Sequence, residues 1–153
     1  MKEVTDMEFK TDAQKASYEK VVPMMEELFG EFVEVRTDAP MIIVTVGSAL
    51  ARTGVFPWGK HDAAIRTRSY VVADAEITPE LTRYLLGENA RMNFGAFAID
   101  DDDCILFEHT ILGSRCDKEE LKASVMAVVM VADQYDDEIV TRWGGRRALD
   151  HVT

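Results

Sequence analysis

The chain is poor in cysteine and histidine and has no long apolar run, and each shortage closes off a class of function. Only Cys104 and Cys116 are present. If 104–112 is extended, its ends stand roughly 26 Å apart at about 3.3 Å per residue. A disulfide needs Cα atoms within about 7 Å. No intramolecular bridge is expected, and a reducing cytoplasm is the simplest setting. His61, His109 and His151 are scattered, with no second ligand at i+3 or i+4, so zinc is not expected. The apolar runs are too short to span a bilayer. The opening "MKEVTDMEFK" is polar and lacks the apolar core of a secretory signal. Basic residues are also in deficit, 17 Lys+Arg against 28 Asp+Glu, for a net charge of −11. Nucleic-acid backbones and anionic membranes are polyanions, and neither is expected as the main partner. No G-x-G-x-x-G or phosphate loop is present, and Ser48 lies in "GSA" rather than in a nucleophile elbow.

What remains is a folding composition. The chain is 47% hydrophobic and 29% charged, unlike a disordered segment. Its 153 residues suit one domain with one core. No internal repeat, low-complexity tract or Pro/Gly-rich linker divides it. Residues 1–10 read as a flexible N-terminus and 11–150 as the domain.

Thr11 to Gln14 is a candidate capping box. Tyr18, Val21, Val22, Met25, Leu28 and Phe29 follow at helical spacing. Pro23 should kink that helix or start its second part, and Gly30 should end it. Phe32, Val33 and Val35 read as a short opening strand. "MIIVTV" (41–46) is rich in β-branched residues, 49–57 returns after a turn at Gly47–Ser48, and "AIRTRSYVV" (64–72) is the third main strand. On it Ile65, Thr67, Ser69 and Val71 share one face, and Arg66, Arg68, Tyr70 and Val72 the other. Thr78–Pro79–Glu80 starts a short helix that Gly87 should stop. Residues 93–99 and 104–112 form a hairpin with Asp100–Asp103 at its tip. Asp117 caps the last helix, whose stripe of Leu121, Val125, Val128, Ala132, Tyr135 and Ile139 is widened by Met126, Val129 and Met130. Such a helix is buried on more than one side, against the sheet and against either the first helix or a second subunit. The order is α–βββ–α–ββ–α, an α+β fold with three helices on an antiparallel sheet of about five strands.

The candidate sites divide as follows. Asp100–Asp103 reads as a turn, because aspartate bonds nearby backbone N–H groups and tolerates left-handed conformations. A calcium loop would need spaced ligands, a glycine and a later bidentate acid. A weak incidental cation site is the alternative. Asp133, Asp136, Asp137 and Glu138 read as a solvated helix face, with Glu138 and Arg142 as an i,i+4 pair; the alternative is a divalent-ion site. His109 reads as a hydrogen-bonded core or rim residue. Cys116, near a helix start where a thiol pKa can fall, reads as a plain loop thiol. Phe56 and Trp58 in "GVFPWG" (54–59) are either core anchors or a contact surface. Trp143 in "RWGGRRALD" (142–150) poses the same choice.

The segments "FPWG", "FGAFAIDDDD", "ILFEHTILG", "DKEELKASV" and "ADQYDDEIVTRWGGRRALD" resemble the YbjN-domain proteins, especially their cyanobacterial members. That family is grouped with type III secretion chaperones of the CesT and YopN type. The resemblance spans roughly 11–150 and is strongest in the C-terminal half. It implies a type III secretion chaperone-like α+β fold, a homodimer and a peptide- or protein-binding, chaperone-like role, with no catalytic residue to carry over.

The leading expectation is therefore a non-enzymatic, cytoplasmic homodimer that binds a protein or extended peptide, without cofactor or metal. Its contact candidates are Phe56, Trp58, Met126, Met130 and Trp143. The motive is surplus apolar surface on the last helix, where methionine adapts to irregular partners, and strand edges open to strand addition. One alternative is a small-ligand or metal-dependent enzyme using the Asp133–Glu138 cluster or His109. Another is a structural subunit docking through the "FPWG" loop and the "RWGGRR" tail.

Overall fold

Three capping side chains start the three helices. Thr11 accepts from the Gln14 N–H at 3.0 Å, Thr78 from that of Leu81 at 3.1 Å, and Asp117 from that of Glu120 at 2.8 Å. Each satisfies one of the donors that a helix start leaves orphaned. In this computed structural model, which describes residues 7–47 and 49–148, the helices are α1 (Asp12–Phe29), α2 (Pro79–Asn89) and α3 (Lys118–Trp143). The strands are β1 (Val33–Val35), β2 (Met41–Val46), β3 (Ala49–Trp58), β4 (Asp62–Ala73), β5 (Ala96–Ile99), β6 (Ile105–Leu112) and β7 (Arg146–Arg147). They form one antiparallel sheet in the order β1-β2-β3-β4-β6-β5, with β7 paired to the end of β4.

The architecture is the expected α+β arrangement with seven strands rather than about five. The additional pieces are the shortest. β1, three residues long, is the short opening strand expected around Val33 and Val35; β7 has two residues, too few for an alternating pattern to register. β7 exists because Gly144 and Gly145 take φ of 77° and 83° and turn the chain from α3 back onto β4. A Cβ on Gly145 would stand 2.5 Å from the Ala73 carbonyl oxygen, so only glycine permits this approach.

Two local expectations are corrected. α1 runs unbroken through Pro23, which lies on the exposed side, where a carbonyl that lost its partner reaches water. α2 continues past Gly87 to Asn89, whose side chain accepts from the Phe97 N–H at 2.6 Å and donates to the Phe97 carbonyl at 3.2 Å. That double bond ties the helix end to β5. Of the N-terminal segment expected to be flexible, residues 1–6 lie outside the described residues; Met7 is buried, and the Phe9 ring packs on Tyr18 at 5.8 Å.

The core lies between the helices and one face of the sheet. Ile42, Val44, Ala51, Val55, Ile65 and Phe107 point into it and are fully buried. Each large aliphatic or aromatic side chain there contributes ~1.5–3 kcal/mol relative to exposure. α3 lies across β3, β4 and β6 and also touches α1, so the first helix is one of the two elements that cover it. Buried polar groups on this face are paired. The Thr53 and Thr67 hydroxyls meet at 2.8 Å, and the Ser69 hydroxyl donates to the Leu50 carbonyl at 2.8 Å.

Candidate functional site

The strand alternation that fills the core leaves the opposite face open. Along β3 the outward positions are Leu50, Arg52, Gly54, Phe56 and Trp58, and along β4 they include Arg66, Arg68 and Tyr70. The registers Arg52↔Arg68 and Gly54↔Arg66 set these residues side by side. A β-bulge between Tyr70 and Val72 ends the alternation, so Val72 turns inward and is buried although Tyr70 is not. The outcome is a shallow pocket lined by Met41, Arg52, Gly54, Phe56, Arg66, Arg68 and Tyr70.

Its geometry is specific. The Arg66 guanidinium lies 4.6 Å from the centroid of the Phe56 ring, a cation–π contact. The ring itself lies over Gly54, where an added Cβ would be only 2.8 Å from it. Arg68 is held by Glu108 on β6, with contacts of 2.6 and 2.8 Å. Trp58 stands at the end of β3, 66% exposed, and Phe56 is 36% exposed. Neither is a core anchor.

The other contact candidates lie elsewhere. Met130 is 61% exposed and Met126 half-buried on α3, across the sheet from Phe56. Trp143 is only 8% exposed. It packs on Tyr84 at 5.0 Å, beneath the Arg142 guanidinium at 4.2 Å, and presents almost no surface to a partner.

Asp100 accepts from the N–H groups of Asp102 at 3.0 Å and Cys104 at 2.9 Å, and Asp103 takes a φ of 59°, which gives the expected hairpin turn. On α3, Asp136 is buried while Asp133, Asp137 and Glu138 are exposed. Burial raises the Asp136 pKa. Glu138 pairs with Arg142 at 3.6 Å and Asp137 with Arg147 at 3.8 Å. His109 is half-buried, its Nδ1 2.7 Å from the Ser124 hydroxyl and its ring edge-on to Phe94 at 5.8 Å; burial lowers its pKa. Cys116 is buried, and burial pushes its thiol up, the reverse of an activated nucleophile. Ser48 and His151 lie outside the described residues. No helix among the described residues is long and apolar enough to cross a membrane.

A family model described as "T3SS (YopN, CesT) and YbjN peptide-binding chaperone 1" matches residues 15–151. The chain belongs to this family, TY-Chap1. Comparison with solved structures found a chain of the crystal structure of the ExsC-ExsE complex, with a TM-score of 0.62 and 13% sequence identity. The match covers 80% of this chain and 95% of that one. At that identity the likeness shows the fold alone. No curated protein matched. Fold and family in this TY-Chap1 chain are thus those expected from the "FPWG" to "RRALD" segments.

The arginines of the open face were not among the candidates. The signal was present: Leu50, Arg52, Gly54, Phe56 and Trp58 recur at every second position, as do Arg66, Arg68 and Tyr70. Reading the two strands against each other, rather than one at a time, would have joined them.

Proposed function

We propose that this chain is a non-enzymatic, chaperone-like protein that binds an extended segment of a client protein on the open face of its sheet, and that it works as a cytoplasmic homodimer. The observation that carries the binding surface is the exposure of Phe56, under Arg66, and of Trp58 further along β3, on strands whose reverse faces are buried. Aromatic and arginine side chains that expose both apolar area and hydrogen-bonding capacity are the groups from which strong contacts are built. Membership of a peptide-binding chaperone family supports the kind of ligand. The free thiols of Cys104 and Cys116 suit a reducing compartment. The dimer rests on the resemblance to YbjN-type proteins and on the exposed apolar side chains of Met130 and Leu86.

The test is a tagged pull-down from native lysate with light scattering on the eluate, run on the natural chain and on Phe56→Ser/Trp58→Ser. A dominant protein partner held by a dimeric natural chain and lost from the double variant is the expected result. A partner retained by the double variant would remove the open face from the reading. A clean homodimer with nothing attached would remove the client.

A further inference from the structure

The open face carries a charge opposite to that of the chain. The net charge is −11, yet the pocket is ringed by Arg52, Arg66 and Arg68. Arg52 and Arg68 are directly opposed across β3 and β4, a position in which like charges destabilise a sheet. Glu108 neutralises Arg68 alone, at 2.6 Å. Arg66 is spread over the Phe56 ring and Arg52 is exposed; neither has a carboxylate partner among the described residues. Arg52 and Arg66 stand diagonally across the two strands, Arg66 opposite Gly54, and although the chain has eleven acids to spare, none among the described residues is placed to pair with either.

We propose that Arg52 and Arg66 form a receptor for a carboxylate, so that the client segment carries an Asp or Glu flanked by apolar residues. A guanidinium fork matches a planar carboxylate in two parallel hydrogen bonds. The stacked Phe56 ring holds Arg66 in place, which reduces the rotamer entropy lost on binding. Phe56 and Tyr70, exposed on either side of the arginines, provide the apolar contacts for the flanking residues. Glu108 and the overall negative charge repel a polyanion, so an isolated acid within an apolar segment fits this face and a nucleic-acid backbone does not. This inference rests on the peptide-binding reading and adds the chemistry that selects the segment.

The test is a selection of short random peptides displayed on phage, on the natural chain and on Arg52→Gln/Arg66→Gln, with unfolding curves to verify that the variant folds. Selected peptides are synthesised and titrated by calorimetry. The expected winners carry an Asp or Glu between apolar residues. Replacing that acid by its amide weakens binding to the natural chain about tenfold or more, and to the double variant by no more than about twofold. Winners with no acidic bias, or an amide that binds equally well, overturn the carboxylate receptor and leave the peptide reading standing. No enriched peptide overturns both. A fluorescent oligothymidylate that binds the natural chain through these arginines and displaces the winners overturns the proposal in favour of nucleic acid.

Discussion

The side-chain amide of Gln14, in the first turn of α1, donates to the carbonyl of Val55 at 2.9 Å, on the strand that displays Phe56 and Trp58. Its oxygen accepts from the Lys10 N–H at 2.7 Å. One buried glutamine thus ties the helix start, the segment before it and the back of the open face together. Gln14→Ala strips the buried Val55 carbonyl of this partner and frees the Lys10 amide. The expected cost is about 1–3 kcal/mol, read as a lower urea midpoint at unchanged slope. No loss would mean that water replaces the amide.

The hydroxyls of Thr53 and Thr67 make a pair inside the core, fully buried and 2.8 Å apart. Thr53→Val or Thr67→Val alone leaves the other hydroxyl unsatisfied and is expected to cost about 1–3 kcal/mol. The double variant removes both polar groups at nearly constant volume, so its cost should fall below the sum of the singles by about 1 kcal/mol or more. A double-mutant cycle in urea measures this; strict additivity would show that the two hydroxyls do not interact.

These two relationships mark where the sequence is readable. The alternation of "AIRTRSYVV" places Ile65, Thr67 and Ser69 on one face, and that face is buried. Asp117, Thr78 and Thr11 announce their helices because a cap acts on residues three positions away. Gly87 and Pro23 mislead because tertiary contacts decide: the Asn89 bonds to Phe97 hold α2 past its glycine, and exposure makes the proline tolerable. The open face needs the register Arg52↔Arg68, a relation between residues sixteen apart that no local pattern states. Trp143, next to a run of glycine and arginine, gives no local sign that it packs on Tyr84 of α2.

His109 supplies a pH dependence. Burial holds its pKa below the ordinary 6.5, so the native state resists taking up a proton that the unfolded chain accepts. The corresponding stability is present above 6.5 and is lost as pH falls through that value toward the lower folded pKa. His109→Gln removes the titrating group, and its melting temperature should decline less than that of the natural chain between neutral pH and pH of about 5. Parallel declines would place the acid sensitivity elsewhere.

The four aspartates at the hairpin tip should not be equivalent. Asp100 bonds two backbone N–H groups, whereas Asp101 is exposed. Asp100→Ala is expected to cost about 1 kcal/mol, and Asp101→Ala to stay within about 0.5 kcal/mol of the natural chain. Millimolar calcium should leave the melting temperature of all three proteins unchanged, since the tip lacks spaced calcium ligands. A rise in melting temperature with calcium that is abolished in Asp101→Ala would turn the turn into a cation site.

Gly54 separates the surface from the fold. Its backbone is that of an ordinary strand, since its φ lies outside the left-handed region. An added Cβ would meet the Phe56 ring at 2.8 Å and the Met41 methyl at 3.2 Å, both far ends of side chains. The ring and the methyl can swing away, so Gly54→Ala should melt within a few degrees of the natural chain, a shift of about 1 kcal/mol or less. The Phe56 ring then leaves its place under Arg66, and the cation–π contact at 4.6 Å is broken. If the open face holds the client, the captured partner should bind Gly54→Ala about tenfold more weakly by calorimetry, because the anchor loses its preset position. Unchanged affinity with an unchanged melting temperature would show that the arrangement of Phe56 and Arg66 is irrelevant to binding. A large fall in stability would show instead that Phe56 packs for the fold.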